Sequence, residues 1–582
     1  MAVLQNARTL ASLPVARSTG AQILFFGAAL VTVAIELWAN GLSAQGAAGD
    51  LSPIFFHLFT ALDYGGANCA LLILIAAALV PARFTFRPLL RWIGEHPIKT
   101  AVLSTALLCA GALGVYRNHP LSMDEYCVFF QSQIFASGHL AGQFPPSLLD
   151  WVVPSGFQNN FLKLSHVTGQ VSSSYWPSFA LLLTPFTALG IPWACNPVIS
   201  GLTLLAAHRL ALRIFGDVES AGLTVLLTLA SPVFFADGIS YYSMSAHLLA
   251  NTVYALLLTR PTPSRSFLAG VVGSVALTLH NPVPHMLFAV PWLAWLATRP
   301  DRARSFGALL AGYLPLVLLL GFGWFLFSSQ LTYEGTALAG ATAPAESLGV
   351  AATFFQPPSV TILLARAIGV AKLWVWAVPG LLLLAGIGGW RWRRTPICRL
   401  LVASAITTFL GYFIVTFDQG HGWGYRYFHS AWIVLAILGA GALSPAPTPV
   451  NEAPPERAAI FADGGSRTFV VACALLTMTL GVGFRALQIH QFVSQAMQEQ
   501  PSYAGTERRV VIITPRFSIY ARDLVQNDPW LRGNVTRMIS NGPTRDARMM
   551  AQYFPEMHKV YSDPLGTVWS TAQQPASIHE SP

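Results

Sequence analysis

TAVLSTALLCAGALGVYRNHPLSMDEY, residues 100–126, runs from an apolar stretch into a polar turn and stops on two adjacent carboxylates, Asp124 and Glu125. The apolar part, 100–116, has the length of a transmembrane helix, since about 17–25 residues are needed to cross roughly 30 Å of hydrocarbon. Further apolar runs of this kind lie at 22–40, 66–81, 196–214, 219–236, 241–259, 266–281, 283–298, 306–327, 366–387, 400–417, 428–444 and 468–484. Together they predict about thirteen crossings. The whole chain agrees: 54% of its 582 residues are hydrophobic, only 10% are charged, and the mean hydropathy is +0.53, which excludes a water-soluble globule. The expected fold class is an all-α polytopic membrane protein with interfacial helices in its first large outer loop and a small C-terminal α/β extramembrane domain.

Arginine and lysine beside a span resist translocation, so the short loops that hold them mark the cytoplasmic side. Arg8 and Arg17; Arg83, Arg87, Arg91 and Lys99; Arg209 and Arg213; Arg260 and Arg265; Arg299, Arg302 and Arg304; Arg391, Arg393, Arg394 and Arg399; and Arg457 and Arg467 share one parity. The other side then receives 41–65, 117–195, 237–240, the His280–His285 turn, 329–365, 418–427 and the tail after 485. This orientation accounts for a net charge of +9 without a nucleic-acid groove, because the cations are dispersed over loops and form no single stripe. Six cysteines, scattered without CxxC or Cys/His spacing, indicate neither a zinc site nor a disulfide framework. The first apolar run is longer than a signal-peptide core, and the later parity works if it is retained. The expected location is a bacterial cytoplasmic (inner) membrane, with the N-terminus cytoplasmic and the C-terminal domain extracytoplasmic.

Residues 1–98 hold two leading spans, 99–444 the main body with the outer loop 117–195, 445–466 a Pro-rich cytoplasmic linker, 467–485 the last span, and 486–582 the α/β domain. Within the outer loop, Cys127, Phe130 and Ile134 recur at helical spacing opposite Gln131, Ser132 and Gln133. That pattern predicts a helix in the membrane interface, closing at Gly138. The stretch 177–190 is short and bracketed by Pro177 and Pro192, so it is expected to be re-entrant or interfacial. In the tail, the sequence predicts strands at 510–514 and 535–539, a helix-like stretch ending near Asn527-Asp528-Pro529, a helix to Phe554, and an extended Lys559-Val560-Tyr561.

The outer side collects the residues fit for chemistry. Adjacent acids on a helix point about 100° apart, so one of Asp124 and Glu125 would act while the other supports. A carboxylate near apolar surroundings has its pKa raised, which suits removing a proton from a sugar hydroxyl. The competing reading is a helix N-terminus, where acids cap free amides. The run 237–247 carries Asp237, Tyr241, Tyr242, Ser243, Ser245 and His247 into a span, offering donors to a phosphate or a sugar, or else polar helix packing. In 417–427, glycines alternate with His421, Tyr425 and Arg426; Arg426 could present a planar fork to phosphate, or snorkel within an aromatic belt. Lys163 is a further outer cation. His280 and His285 flank a Pro-rich turn that could hold a metal or be turn residues only.

Three of these segments together resemble the GT-C class of integral-membrane glycosyltransferases, in particular the bacterial branch related to protein O-mannosyltransferases and the lipid A aminoarabinose transferase. They are Asp124-Glu125-Tyr126 past a span, with its helix closing at Ser137-Gly138; Tyr175-Trp176-Pro177-Ser178, followed by Arg213-Ile214-Phe215-Gly216; and the turn Gly422 to Tyr427. The resemblance covers roughly 100–440. It departs from the family's pattern at Pro177-Ser178, where the family has Pro-Pro-Gly, and in the two leading spans. The resemblance implies a polyprenyl-phosphate-linked sugar donor, inversion at the anomeric carbon, Asp124 as catalytic base and Glu125 in support. It further implies a hexosyl- or pentosyltransferase acting on a lipid, polysaccharide or protein acceptor. Arg426, His421, Tyr425, His247, Tyr241, Tyr242, Asp237, Lys163 and Tyr175 are the candidate substrate-binding residues. No cofactor is required by this reading, although a divalent metal is compatible with it. The alternative is a polytopic transporter or lipid flippase, which would be expected to show paired inverted repeats; the sequence shows none.

Overall fold

Each of the apolar runs is helical over most of its length, and local sequence explains where the helices start and stop. The computed structural model describes residues 18–45, 51–299, 302–337, 357–445, 460–461, 463–503, 505–515 and 520–571. Proline opens Pro97–Gly114, Pro263–Leu277 and Pro396–Gly411 at the first helical position, where its missing N–H costs nothing. Thr262 and Ser359 cap their helices through side-chain oxygens. Gly216, at φ +65°, ends Cys195–Phe215 in the left-handed region.

Seven helices among the described residues are long and apolar enough to cross a membrane, or eight if one bent pair counts as a single span. In that pair, Val218–Ala230 and Pro232–Ile239, the axis turns by 64° at Pro232. The remaining runs form helices of 11 to 16 residues, such as Met244–Leu258 and Val360–Val375. The expected span 366–387 is divided at Pro379-Gly380, with Gly380 at φ +83°. The last span does not stop near 485. It continues through a π-helical stretch, Thr477–Gly481, into Val482–Gln498. Most of the expected linker 445–466, residues 338–356 of the expected outer segment 329–365, and Arg8, Arg17 and Arg457 lie outside the described residues.

The leading helices are tied to the main body by a buried charge cluster. Asp63 accepts from Lys372 Nζ at 2.6 Å and Trp376 Nε1 at 2.5 Å, and Arg485 Nη2 stands 3.2 Å from it. All three charged side chains are at most 2% exposed, so each needs the others.

In the 117–195 loop, the Met123–Ala136 helix packs beside a small sheet, β1 (Gly142–Gln143), β2 (Leu162–Leu164) and β3 (Gln170–Ser173), in the order β1-β3-β2. The expected surface helix is in fact enclosed on both faces. Gln131 and Ser132 are wholly buried, Gln131 accepting from the Ser173 amide at 2.9 Å and Ser132 bonding Thr187 at 2.8 Å. Within the stretch 177–190, expected to be re-entrant or interfacial, Ser178–Ala188 is a helix of 11 residues.

The tail forms a four-stranded sheet from β4 (Arg509–Ile513), β5 (Val535–Ile539), β6 (His558–Asp563) and β7 (Gly566–Ser570), in the order β5-β4-β7-β6. Strands β4 and β5 are parallel, joined in register Arg509↔Val535, and β7 runs antiparallel to β4. Pro543–Tyr553 is the helix expected before Phe554. The helix-like stretch before Asn527 is instead a turn over the described residues 520–524, and β7 was not foreseen. This domain is not separate from the outer loop. Tyr126, Phe130, Leu149 and Val152 share one apolar cluster with Val510, Ile512, Met538 and Met550.

Candidate active site

Ser122 is the N-cap of the Met123–Ala136 helix, which places Asp124 and Glu125 at its second and third positions. The two acids divide the two roles that the sequence left open. Glu125 turns inward and is fully buried. Its carboxyl accepts from the amides of Leu121 at 2.9 Å, Ser122 at 3.3 Å and Tyr241 at 2.9 Å, and from the Tyr116 hydroxyl at 3.0 Å. Burial pushes this carboxyl up to about 8, against the pull of those four donors. Glu125 is therefore the cap and the anchor between the outer loop and the turn at 240–242.

Asp124 faces the other way. Tyr175 donates its hydroxyl to one carboxylate oxygen, and Arg426 donates Nη1 to the other. Burial alone would raise the Asp124 carboxyl, but Arg426, then His280 and Tyr175, outweigh it and hold it at about 2. The pair is only partly enclosed, with the Arg426 side chain 11% and the Asp124 side chain 18% exposed.

Arg426 is held from several sides. Its Nη2 donates to the Gln419 carbonyl at 2.6 Å, its amide donates to Gln419 Oε1 at 2.9 Å, and its guanidinium lies over the Tyr242 ring at 4.9 Å. The 419–426 turn can fold this tightly because Gly422, at φ +147°, lies under the Arg426 side chain, where a Cβ would press on Cδ at 3.0 Å. Tyr242 reaches Ser122 Oγ at 2.9 Å and His421 Nδ1 at 2.5 Å. Opposite, the His280 ring lies 4.0 Å from that of Tyr175. An anionic carboxylate, a fixed cation and a shell of hydroxyl and imidazole groups thus meet where the 117–195 loop, the 240–242 turn, the 278–282 turn and the 418–427 turn converge.

No family model and no curated protein matches the sequence. Solved structures do. The crystal structure of ArnT from Cupriavidus metallidurans bound to undecaprenyl phosphate superposes with a TM-score of 0.50 at 11% identity, covering 82% of this chain and 98% of that one. Its apo form gives 0.49 at 12% identity, over the same shares. The chain has an ArnT-like fold.

Within this ArnT-like scaffold, Asp124, Tyr175, Tyr242, His421 and Arg426 come together as a linked set, with Glu125 and Tyr241 directly behind. Tyr241 gives its amide to Glu125 and its hydroxyl to Asn118. Other expected ligands are engaged elsewhere. Asp237 faces His429 Nδ1 at 2.8 Å inside the bundle. Tyr425 packs against Gly369 and Phe409. Lys163, on β2, donates to the Asn159 carbonyl at 2.8 Å. His247 is wholly buried, and neither of its ring nitrogens has a partner among the described residues.

The two turn histidines part company. His285 bonds Asn251 Oδ1 at 2.7 Å and Tyr313 at 2.6 Å, whereas His280 goes to Tyr175, so they form no shared metal site. Among the described residues, no three His, Cys, Asp or Glu side chains are grouped as metal ligands would be. Sequence reasoning missed Gln419, which cradles Arg426, and did not assign His280 to the carboxylate. Gln419 carried a signal, since it opens the glycine-rich turn.

Proposed function

We propose that this protein is an inverting glycosyltransferase that moves a sugar from a polyprenyl phosphate to a cell-envelope acceptor on the outer face of the cytoplasmic membrane. The observation that carries this reading is the Asp124–Arg426 pair, held within a GT-C fold by Tyr175, Gln419 and Tyr242. The undecaprenyl phosphate in the ArnT structure supports a prenyl-linked donor.

The chemistry follows from what each group can do. As the sugar leaves its lipid phosphate, negative charge gathers on the phosphate oxygens, and a pre-positioned guanidinium stabilises it. Asp124 accepts the proton of the acceptor hydroxyl. Held at about 2 by Arg426, Asp124 is a weak base in the resting site. A donor phosphate that competes for Arg426 releases Asp124, and burial then raises its basicity. The base is strengthened by the same contact that binds the leaving group.

Transfer by the purified protein in a lipid bilayer tests this. Asp124→Asn is expected to lower turnover by about 10²–10⁴-fold, the contribution usual for a general base. Undiminished turnover in that variant removes the proposed base. Movement of the lipid-linked sugar across the bilayer without a new glycosidic bond would point to a flippase.

A further inference from the structure

Beside the apolar cluster, the tail hydrogen-bonds the start of the helix that carries Asp124 through a short, turn-rich segment, residues 520–527. Asp523 Oδ1 accepts from the Met123 amide at 2.8 Å. Met123 is the first residue of the helix, and its amide is one of the four that have no partner within it. Gln526 Nε2 donates to the Pro120 carbonyl at 2.7 Å. Tyr126 and Asn527 are clasped twice: the Tyr126 hydroxyl donates to the Asn527 carbonyl at 2.5 Å and accepts from the Asn527 amide at 2.9 Å. Tyr520 sets its ring edge-on to His421 at 5.5 Å, within the same wall as Tyr242. Residues 120, 123 and 126 are thus all gripped from the tail, and Asp124 lies between the last two.

From this geometry we infer that Asp523 is a positioning residue: the C-terminal domain, through segment 520–527, sets the register in which Asp124 meets the acceptor. Asp523 acts through the helix start and touches no reacting atom. Burial raises its carboxyl to about 7, the Met123 amide pulls it back, and the charge of Asp124 adds to the rise, as expected of two acids lodged side by side. The cost of a loose grip is large, because a misplacement of about 1 Å at a reacting group can lower a rate by 10²-fold.

The inference rests on Asp124 being the base, and its test uses the full-length protein in lipid with two independent readouts. Asp523→Ala is expected to lower kcat about tenfold, with the KM for a polyprenyl-phosphate sugar within about twofold of wild type. Asp523→Asn, which keeps an acceptor oxygen for Met123, is expected to recover most of the loss. Hydrogen exchange, followed by mass spectrometry over peptides spanning 120–130, is expected to quicken in Asp523→Ala and not in Asp523→Asn. Wild-type kcat and exchange in Asp523→Ala overturn the inference, as does a rise in KM with kcat unchanged. If the wild-type protein transfers no sugar at all, the proposed function fails, and the exchange comparison still decides whether the tail fixes this helix.

Discussion

Asp124 owes its charge state to its neighbours more than to its place on a helix. Its carboxyl lies at about 2, below the ordinary aspartate value of 3.8, so the stability it contributes is present above 3.8 and is lost as the pH falls toward 2. Over the neutral range it stays ionised, and an acid limb in the pH–rate profile of wild type near pH 5 to 7 would belong to another group. Arg426 is the largest of the influences that lower it. Arg426→Gln is therefore expected to move the titration of Asp124 upward and, in the residual activity, to shift the acid limb of kcat/KM to higher pH; an unmoved limb would show that Arg426 does not tune the base. Glu125 answers to a different test. Glu125→Ala strands four donors, two of them on the 240–242 turn and Tyr116, and each orphaned buried group costs about 1–3 kcal/mol. A fall in thermal stability of several degrees is expected, measured by melting in detergent.

The elements were legible wherever a short-range pattern specified them. Apolar runs with Pro at the start or Gly at the end became helices, and the strand expected at 535–539 became β5. What sequence could not supply was the partner of each face. The Met123–Ala136 helix has polar residues where an interfacial helix would meet water, yet Gln131 and Ser132 are bonded to Ser173 and Thr187, some 42 and 55 positions away. Likewise β7 begins at Gly566, at φ +149°, and runs for five residues, too short a signal without the neighbouring β4 against which it pairs. Glycines show the same limit: nothing in the sequence distinguishes Gly386, Gly388 and Gly389, while the structure gives Gly388 a specific purpose. It packs directly on the Leu438 carbonyl and holds Leu381–Arg391 close to Ile433–Leu443. Gly388→Val must push those helices apart, at a cost of about 1–3 kcal/mol or more. Thermal melting should register it, while Gly386→Ala, where a Cβ meets nothing within 4 Å, should melt like wild type.

At the scale of the whole molecule, long-range ties decide how the parts combine. Asp63, Lys372 and Arg485 come from segments more than 100 positions apart, and nothing local announces that they share a buried cluster. The tail's docking on the outer loop was equally hidden, because the loop side of that interface reads as an ordinary amphipathic stretch. Orientation is the one global property that sequence addresses directly, through the parity of its basic loops. That parity predicts Asp124 outside, where a prenyl-linked donor would be met, and the Arg391–Arg399 loop inside. His139, beyond the Asp124 helix, and Arg394, at the other end of the bundle, are both exposed, so each can report by its accessibility. In intact cells, with the native cysteines replaced, a membrane-impermeant thiol reagent is expected to label His139→Cys readily and Arg394→Cys only after permeabilisation. The reverse pattern would set Asp124 and Arg426 against the cytoplasm, leaving the basic loops on the side where translocated cations are disfavoured, and the outward-facing transfer reaction would have to be given up.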